Sequence, residues 1–174
     1  MSQTYSKQTK DLVKVDIAVQ VHKTTLRAIE DVLFLSIIEC LIADNEGYRS
    51  KAYWDLKRWS IGYGTISYKE EVITEPEARR RLEEAIMYAK ETAPKLVTDD
   101  TWKSLTPSRK GVLVEMVYVL GFKGALNFGK TLSLIKDGMY KEASIELMDS
   151  KWYKQAKTRV KQIADRLCIG EWLA

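Results

Sequence analysis

The residues that favour β-structure are concentrated in one stretch of this chain, from about Ala52 to Ile73. This stretch also contains the pair Gly62 and Gly64, which is typical of a tight turn. Helical spacing of apolar residues precedes it and dominates everything that follows. With 174 residues, of which 45% are hydrophobic, the chain is large enough for one domain with a proper core. The pattern therefore predicts an α+β fold, with a small lobe that contains a β-hairpin and a mainly helical C-terminal lobe.

Local signals mark the helices of the second half. Thr74-Glu75-Pro76-Glu77 combines a capping Thr with a Glu three residues later and a first-turn Pro, and it begins a helix to about Thr92. Thr106-Pro107 begins the next helix, which Gly121 ends. Three more helices are predicted over residues 128–136, 141–149 and 157–169.

The N-terminal part is harder to assign, and we divide the chain into an arm of unknown role, residues 1–25, and a domain over residues 26–174. Apolar and polar residues alternate from residue 12 to residue 22, which predicts a strand with one buried face. A helical arm is the alternative. The apolar run from Leu26 to Ala43 predicts a buried helix that ends near Asn45.

The charge and composition of the chain say more about the compartment in which the protein is made than about any reaction that it catalyses. A net charge of +4 and a pI near 8.9 favour polyanionic partners without choosing among them. Cys40 and Cys168 lie in helical apolar patterns, which predicts two buried, reduced thiols. Neither a leader nor an apolar run of roughly 18 residues is found, so we expect synthesis in a cytoplasm and no stable membrane insertion.

Several kinds of catalytic site are disfavoured by missing residues. His22 is the only histidine, so a Ser-His-Asp triad or a Cys-His dyad would have to recruit it. A zinc site normally needs two or more His or Cys ligands close in space. Gly62-Tyr63-Gly64 lacks the third Gly and the Lys of phosphate-binding loops. No metal and no cofactor is predicted, and carboxylate chemistry is the leading option.

Glu46 and Asp55 are the candidate pair for such chemistry. Breaking a glycosidic bond requires one carboxyl group to protonate the leaving oxygen and a second to guide water or attack the sugar. Glu46 follows the apolar helix, whereas Asp55 lies in a Tyr/Trp-rich stretch, and aromatic faces can stack on sugar rings. Taken singly, Glu46 could be a surface acid at a helix end and Asp55 could cap a turn.

From Glu46 to Thr65 the sequence resembles the catalytic segment of the phage-type lysozymes, the family of the T-even phage lysozyme and the lambdoid endolysins. The family pattern is E-G-x-R, then A/I-Y-x-D, then T-x-G-Y/I-G-x. The likeness extends over about residues 30–174. Its further matches lie at residues 114–121 and 128–134, Trp152-Tyr153, Thr158-Arg159 and Gly170-Glu171-Trp172. The resemblance implies a lysozyme-like fold with an active-site cleft between the two lobes.

The resemblance also implies roles for individual residues. Glu46 would be the general acid, and Asp55 would hold and help deprotonate the attacking water. Ser60 stands where the family usually has a Thr that contacts this water or the sugar. Arg159 matches a basic residue near the catalytic acid. Substrate-cleft positions of the family fall on Ile66, Tyr118, Thr131 and Glu146.

The reaction implied is hydrolysis of the β-1,4 bond between N-acetylmuramic acid and N-acetylglucosamine in peptidoglycan, during phage-mediated lysis of a bacterial host. The protein would wait in the host cytoplasm and reach the cell wall in the periplasm after release. Its partner would be the glycan strand and not nucleic acid, and a monomer is the expected state. A lytic transglycosylase and a non-catalytic glycan-binding or virion module are the alternatives. The stretch from Asp55 to Ser60 is one residue shorter than in the family and lacks its Gly, so its turn should differ.

Overall fold

The computed structural model describes residues 2–55 and 58–172, with side chains from residue 19 onward in those ranges. The chain divides between Ile37 and Ile38 into two compact units. Its elements in chain order are α1 (Ser2–Glu46), β1 (Arg49–Asp55), β2 (Arg58–Gly62), β3 (Thr65–Ser67), α2 (Glu75–Thr92), a 3₁₀ turn (Ala93–Leu96), α3 (Asp99–Ser104), α4 (Pro107–Leu126), α5 (Gly129–Lys136), α6 (Tyr140–Met148), α7 (Lys151–Gln155) and α8 (Lys157–Ile169). The predicted α+β class is confirmed.

Helix α1 corrects the strand predicted over residues 12–22, because it is helical from Ser2 to Glu46. The sequence contains neither Gly nor Pro before Gly47, so nothing interrupts helix propagation. Alternating β-branched residues cost a helix little, whereas a lone strand without a turn and a partner is unstable. The burial predicted for the run from Leu26 was wrong in its first part, since residues 26–33 are all exposed. Burial begins at Ile38 and Ile42.

The three strands form one antiparallel sheet in the order β1-β2-β3, within the stretch that the sequence marks. Tyr53 of β1 lies opposite Ser60 of β2, and Ser60 lies opposite Ile66 of β3. The turn predicted to differ from the family falls on residues 56 and 57, outside the described residues. Gly62 ends β2 with a positive φ of 63°. A Cβ there would stand 2.9 Å from the Cβ of Ala78, so this glycine lets the sheet pack closely on α2.

Helix α4 is the centre of the helical part, with residues 111–117 buried in an unbroken run. Thr106 caps its first turn by accepting a hydrogen bond from the backbone N–H of Arg109, as predicted. Gly121 has a φ of 71° and kinks the chain where the sequence predicted the helix end. A Cβ at Gly111 would lie 2.5 Å from the Trp172 ring and 2.8 Å from Ile38 Cδ1. Only a glycine at position 111 therefore allows α4 to pack this closely against Ile38 of α1 and the Trp172 ring.

The remaining predictions on helices and thiols are mostly confirmed. The helices predicted at 74–92, 128–136, 141–149 and 157–169 are present within one residue. The sequence missed α3 and α7, which are both too short to show a period. Both cysteines are free thiols, as predicted, but neither is buried, because Cys40 is exposed and Cys168 is half-buried. Within the described ranges no single helix is long and apolar enough to cross a membrane, although α4 and α5 together, bent by 102°, pass on length and composition.

A fully buried ion pair joins α4 to α8. Arg166 Nη1 donates to Glu115 Oε1 over 2.5 Å, and each side chain is only 2% exposed. Burial raises the pKa of Glu115, while the hydrogen bond and charge of Arg166 oppose that rise. The Arg166 guanidinium also lies 5.9 Å from the centre of the Trp172 ring. Because solvent stabilises neither charge inside the core, removing one of them leaves the other uncompensated.

We therefore predict that Arg166→Met alone lowers the free energy of unfolding by about 3–5 kcal/mol, because it leaves an unpaired buried carboxylate. The double variant Glu115→Leu/Arg166→Met should be within about 2 kcal/mol of the parent. Urea unfolding followed by circular dichroism measures both. Asp165→Ala, which breaks the exposed pair with Lys161, is the control and should change little. A double variant as unstable as the single one would contradict this account.

Candidate active site

Glu46 is the last residue of α1, and the course of this helix determines where its side chain lies. Ile38, Ile42 and Glu46 are four residues apart, so they share one helix face. The two isoleucines are buried, which carries Glu46 onto the edge of the same packed surface. Its side chain is 19% exposed. The carboxyl group is thus partly enclosed and still open to solvent.

Arg159, in the first turn of α8, holds this carboxyl group. Its Nη1 donates to Glu46 Oε1 over 2.8 Å, and the Arg159 side chain is 16% exposed. Such a charge-assisted hydrogen bond in a partly desolvated place is directional and strong. It joins residues 113 positions apart in the sequence. The contact predicted between Arg159 and the candidate acid is present.

Gly64, in the turn between β2 and β3, lies against the other oxygen of Glu46. A Cβ built on Gly64 would be 3.0 Å from Oε2 and 3.7 Å from Oε1. Gly64 also has a φ of 83°, which side chains other than glycine rarely adopt. Both requirements exclude a larger residue. The sequence showed the Gly-Tyr-Gly turn, but not that its second glycine makes room for the carboxylate.

Tyr118, on α4, fixes the same turn from the side of the helices. Its hydroxyl donates to the backbone oxygen of Tyr63 over 2.7 Å. Burial raises the pKa of Tyr118, and the negative charge of Glu46 raises it further, whereas Arg159 lowers it. The phenol therefore remains a neutral hydrogen-bond donor at physiological pH. The predicted site residue Tyr118 thus lies in the electrostatic field of Glu46.

Asp55 ends β1 with an exposed side chain, and Tyr53 connects it electrostatically with Glu46. Burial raises the pKa of the Tyr53 hydroxyl, the charge of Glu46 raises it next, and Asp55 also raises it. Arg49 and Arg58 lower it, and the Arg49 guanidinium stacks 4.3 Å over the Tyr53 ring. Both candidate acids therefore act on one phenol. Sequence reasoning did not single out Tyr53, although it is the Tyr of the A-Y-x-D pattern.

Ser60 lies directly across the sheet from Tyr53. It is fully buried, and within the described ranges its Oγ has no hydrogen-bond partner. A buried hydroxyl without a partner costs roughly 1–3 kcal/mol. Ser60 therefore gains no stability from this hydroxyl.

The other predicted site residues lie in different surroundings. Ile66 of β3 is 70% exposed, whereas Thr131 of α5 is 1% exposed. Glu146 of α6 is half-buried and forms an ion pair with the exposed Lys130 of α5. The structure thus gathers the acids, Ser60, Tyr118 and Arg159 around the sheet and the ends of α1 and α8. Roles for Ile66, Thr131 and Glu146 in substrate binding stay predictions.

A partly exposed aromatic pair lies on the face of the sheet opposite Tyr53 and Ser60, because successive side chains of a strand alternate between the two faces. Trp54, next to Asp55, is 58% exposed and packs edge to face on Trp59, with ring centres 5.6 Å apart. A flat exposed ring is the surface on which a sugar ring can stack. The arrangement around Glu46 offers one enclosed carboxyl group and one exposed carboxylate. These are the groups that acid-assisted cleavage of a glycan requires.

Two comparisons relate this chain to known proteins. The family model described as Phage lysozyme matches residues 43–167, from the last turn of α1 into α8. A similar protein is "Probable T4-type lysozyme 1" of Dictyostelium discoideum, 29% identical over 105 residues, which are 60% of this chain and 62% of that protein. The chain therefore aligns with less than two thirds of that relative. The predicted resemblance is confirmed over the matched range, and the chain belongs to the phage lysozyme family.

Proposed function

We propose that this protein is a muramidase, which hydrolyses the β-1,4 bond between N-acetylmuramic acid and N-acetylglucosamine in peptidoglycan. The observation that carries the proposal is the Glu46 carboxyl group, which Arg159 holds and for which Gly64 makes room, while Asp55 acts on the same Tyr53 hydroxyl as Glu46. Membership of the phage lysozyme family supports it. So does the name of the relative, a probable T4-type lysozyme.

Glu46 is the proton donor in this proposal. Its Oε1 accepts the hydrogen bond from Arg159, so Oε2 is the oxygen that carries the proton. General acid catalysis by a well-placed carboxyl group contributes typically about 10²–10⁴-fold to a rate. The proton passes to the glycosidic oxygen as the bond to the anomeric carbon breaks. Arg159 then stabilises the carboxylate that remains.

Asp55 directs the attacking water. Its exposed position at the end of β1 leaves the carboxylate open to solvent, as a group that binds and deprotonates water must be. Family resemblance favours inversion at the anomeric carbon, for which two carboxyl groups stand roughly 6.5–9.5 Å apart. Ser60 is assigned to the same water by its place in the family pattern, and its buried, unpaired Oγ would have to become accessible to that water. This assigns a use to a hydroxyl that stability alone does not explain.

The biological setting follows from the substrate. A basic protein, with a net charge of +4, is attracted to the anionic bacterial wall. We propose that it acts in phage-mediated lysis, held in the host cytoplasm until it is released to the wall.

The first test is Glu46→Gln, which keeps an oxygen acceptor for Arg159 but cannot donate a catalytic proton. We predict a loss of at least about 10²-fold in the rate of lysis of permeabilised cells, with unchanged circular dichroism. Glu84→Gln removes the charge from an exposed, ion-paired glutamate of α2 and should keep the parental rate. If Glu46→Gln lyses cells as fast as the parent, Glu46 is not the acid.

Asp55→Asn tests the second carboxylate. Turnover on purified sacculi should fall by roughly 10²-fold or more, because the amide cannot accept a proton from water. Because the Asp55 side chain is exposed, the substitution should not impair folding, and the melting temperature should stay near that of the parent. Near-normal turnover would reduce Asp55 to a residue that ends a strand.

Substitutions at Ser60 distinguish an effect on catalysis from an effect on stability. Ser60→Ala removes a buried, unpaired hydroxyl, so we predict a gain of about 1 kcal/mol in the free energy of unfolding together with a lower kcat. Ser60→Thr keeps the hydroxyl and should retain most of the activity. Urea unfolding and turnover measured on the same preparations give both values. An Ala variant with parental kcat would show that the hydroxyl has no part in the reaction.

A further inference from the structure

The segment of α1 from residue 19 to residue 33 has no buried face. Every residue in it is exposed, including the apolar side chains of Val19, Val21, Leu26, Ile29, Val32 and Leu33. A single helix gains little stability in water unless one of its faces is packed. Six exposed apolar side chains also form a costly surface on a monomer. This segment therefore needs a packing partner.

The spacing of these side chains identifies the kind of partner. Val19, Leu26 and Leu33 are seven residues apart, and His22, Ile29 and Ser36 follow each of them by three. This is the a and d spacing of a coiled coil, in which one helix packs along another, with apolar residues at each of these a positions and at Ile29 among the d positions. Leu12 and Val15 continue the same spacing in the sequence. At 1.5 Å per residue, the 36 helical residues from 2 to 37 span about 54 Å, or five such repeats.

Charges beside this row of side chains favour a particular orientation. Lys23 and Glu30 occupy the fifth position of successive repeats, next to the apolar row, where coiled coils place their interhelical ion pairs. In an antiparallel pair with Leu26 opposite Ile29 of the second helix, each Lys23 meets a Glu30. In a parallel pair, Lys23 and Glu30 would instead face the seventh position of the repeat in the second helix. Within the exposed segment that position holds Thr25 and Val32 and carries no charge.

We propose that two copies of this chain associate through an antiparallel coiled coil, which is formed by the row Val19, His22, Leu26, Ile29 and Leu33 of each α1 helix. This proposal differs from the monomer expected in the sequence analysis. The proposal does not depend on the muramidase activity, since the family match begins only at residue 43. His22 is the polar residue in the row, and polar residues at such positions fix register at some cost in stability.

The first measurement is sedimentation equilibrium of the 174-residue chain at about 1–100 µM, which detects dissociation constants in the micromolar range. The expected mass is twice the 20.0 kDa of one chain. A monomer at every concentration overturns the proposal. Cosedimentation of such a monomer with phosphatidylglycerol vesicles would assign the apolar row to a lipid surface instead.

Matched substitutions test the row itself. Leu26→Asp and Val19→Asp place a charge in the interface and should weaken the dimer by at least about 100-fold. Val21→Asp is the control, because Val21 is 59% exposed, like Val19 apolar and β-branched, but lies outside the row. It should change the dissociation constant by less than about threefold. Equal weakening by Val19→Asp and Val21→Asp would overturn the assignment.

A charge exchange tests the orientation. Lys23→Glu should weaken the antiparallel dimer by about tenfold, because two attractive pairs become repulsive. The double variant Lys23→Glu/Glu30→Lys restores opposite charges and should recover the parental dissociation constant. Recovery confirms the antiparallel contact. A Lys23→Glu variant that associates like the parent, or a double variant without recovery, overturns it.

Discussion

The contact between Glu46 and Arg159 is the interaction on which the site depends. It joins the end of α1 to the beginning of α8, and it fixes one oxygen of the candidate acid at 2.8 Å. Both side chains are less than one fifth exposed, so solvent competes little with this contact. The second oxygen is then left beside the glycine of the sheet turn. A single carboxyl group thereby receives a defined orientation from a helix, a guanidinium and a turn.

Contacts elsewhere in the structure hold this helix, this guanidinium and this turn in place. Gly62 brings the sheet against Ala78 of α2, and Gly111 brings α4 against Ile38 and Trp172. Tyr118 then ties α4 to the turn that contains Gly64. The buried pair of Glu115 and Arg166 fixes α8 on α4, about two helical turns after Arg159 in the same helix. Helix α8 therefore contributes to stability through Arg166 and to the site through Arg159.

Sequence reasoning recovered those features that short motifs encode and missed those that depend on tertiary contacts. Capping residues such as Thr74 and Thr106 gave helix starts, because a cap is a local interaction. The alternating residues 12–22 misled because a period of two says nothing about whether a partner strand exists. The exposed face of residues 26–33 could not be told from a buried one, since both consist of apolar residues at helical spacing. Gly64 and Tyr53 became informative only when the fold placed them beside Glu46.

Product analysis of purified sacculi digested with the wild-type protein tests the central claim most directly, because it reports whether two acids deliver a proton and a water molecule to one bond. The account predicts muropeptides with hydrated, reducing N-acetylmuramic acid ends. Products with 1,6-anhydro ends would mean that no water is directed to the anomeric carbon, and the absence of any product would mean that the site only binds glycan. Either result would contradict the account.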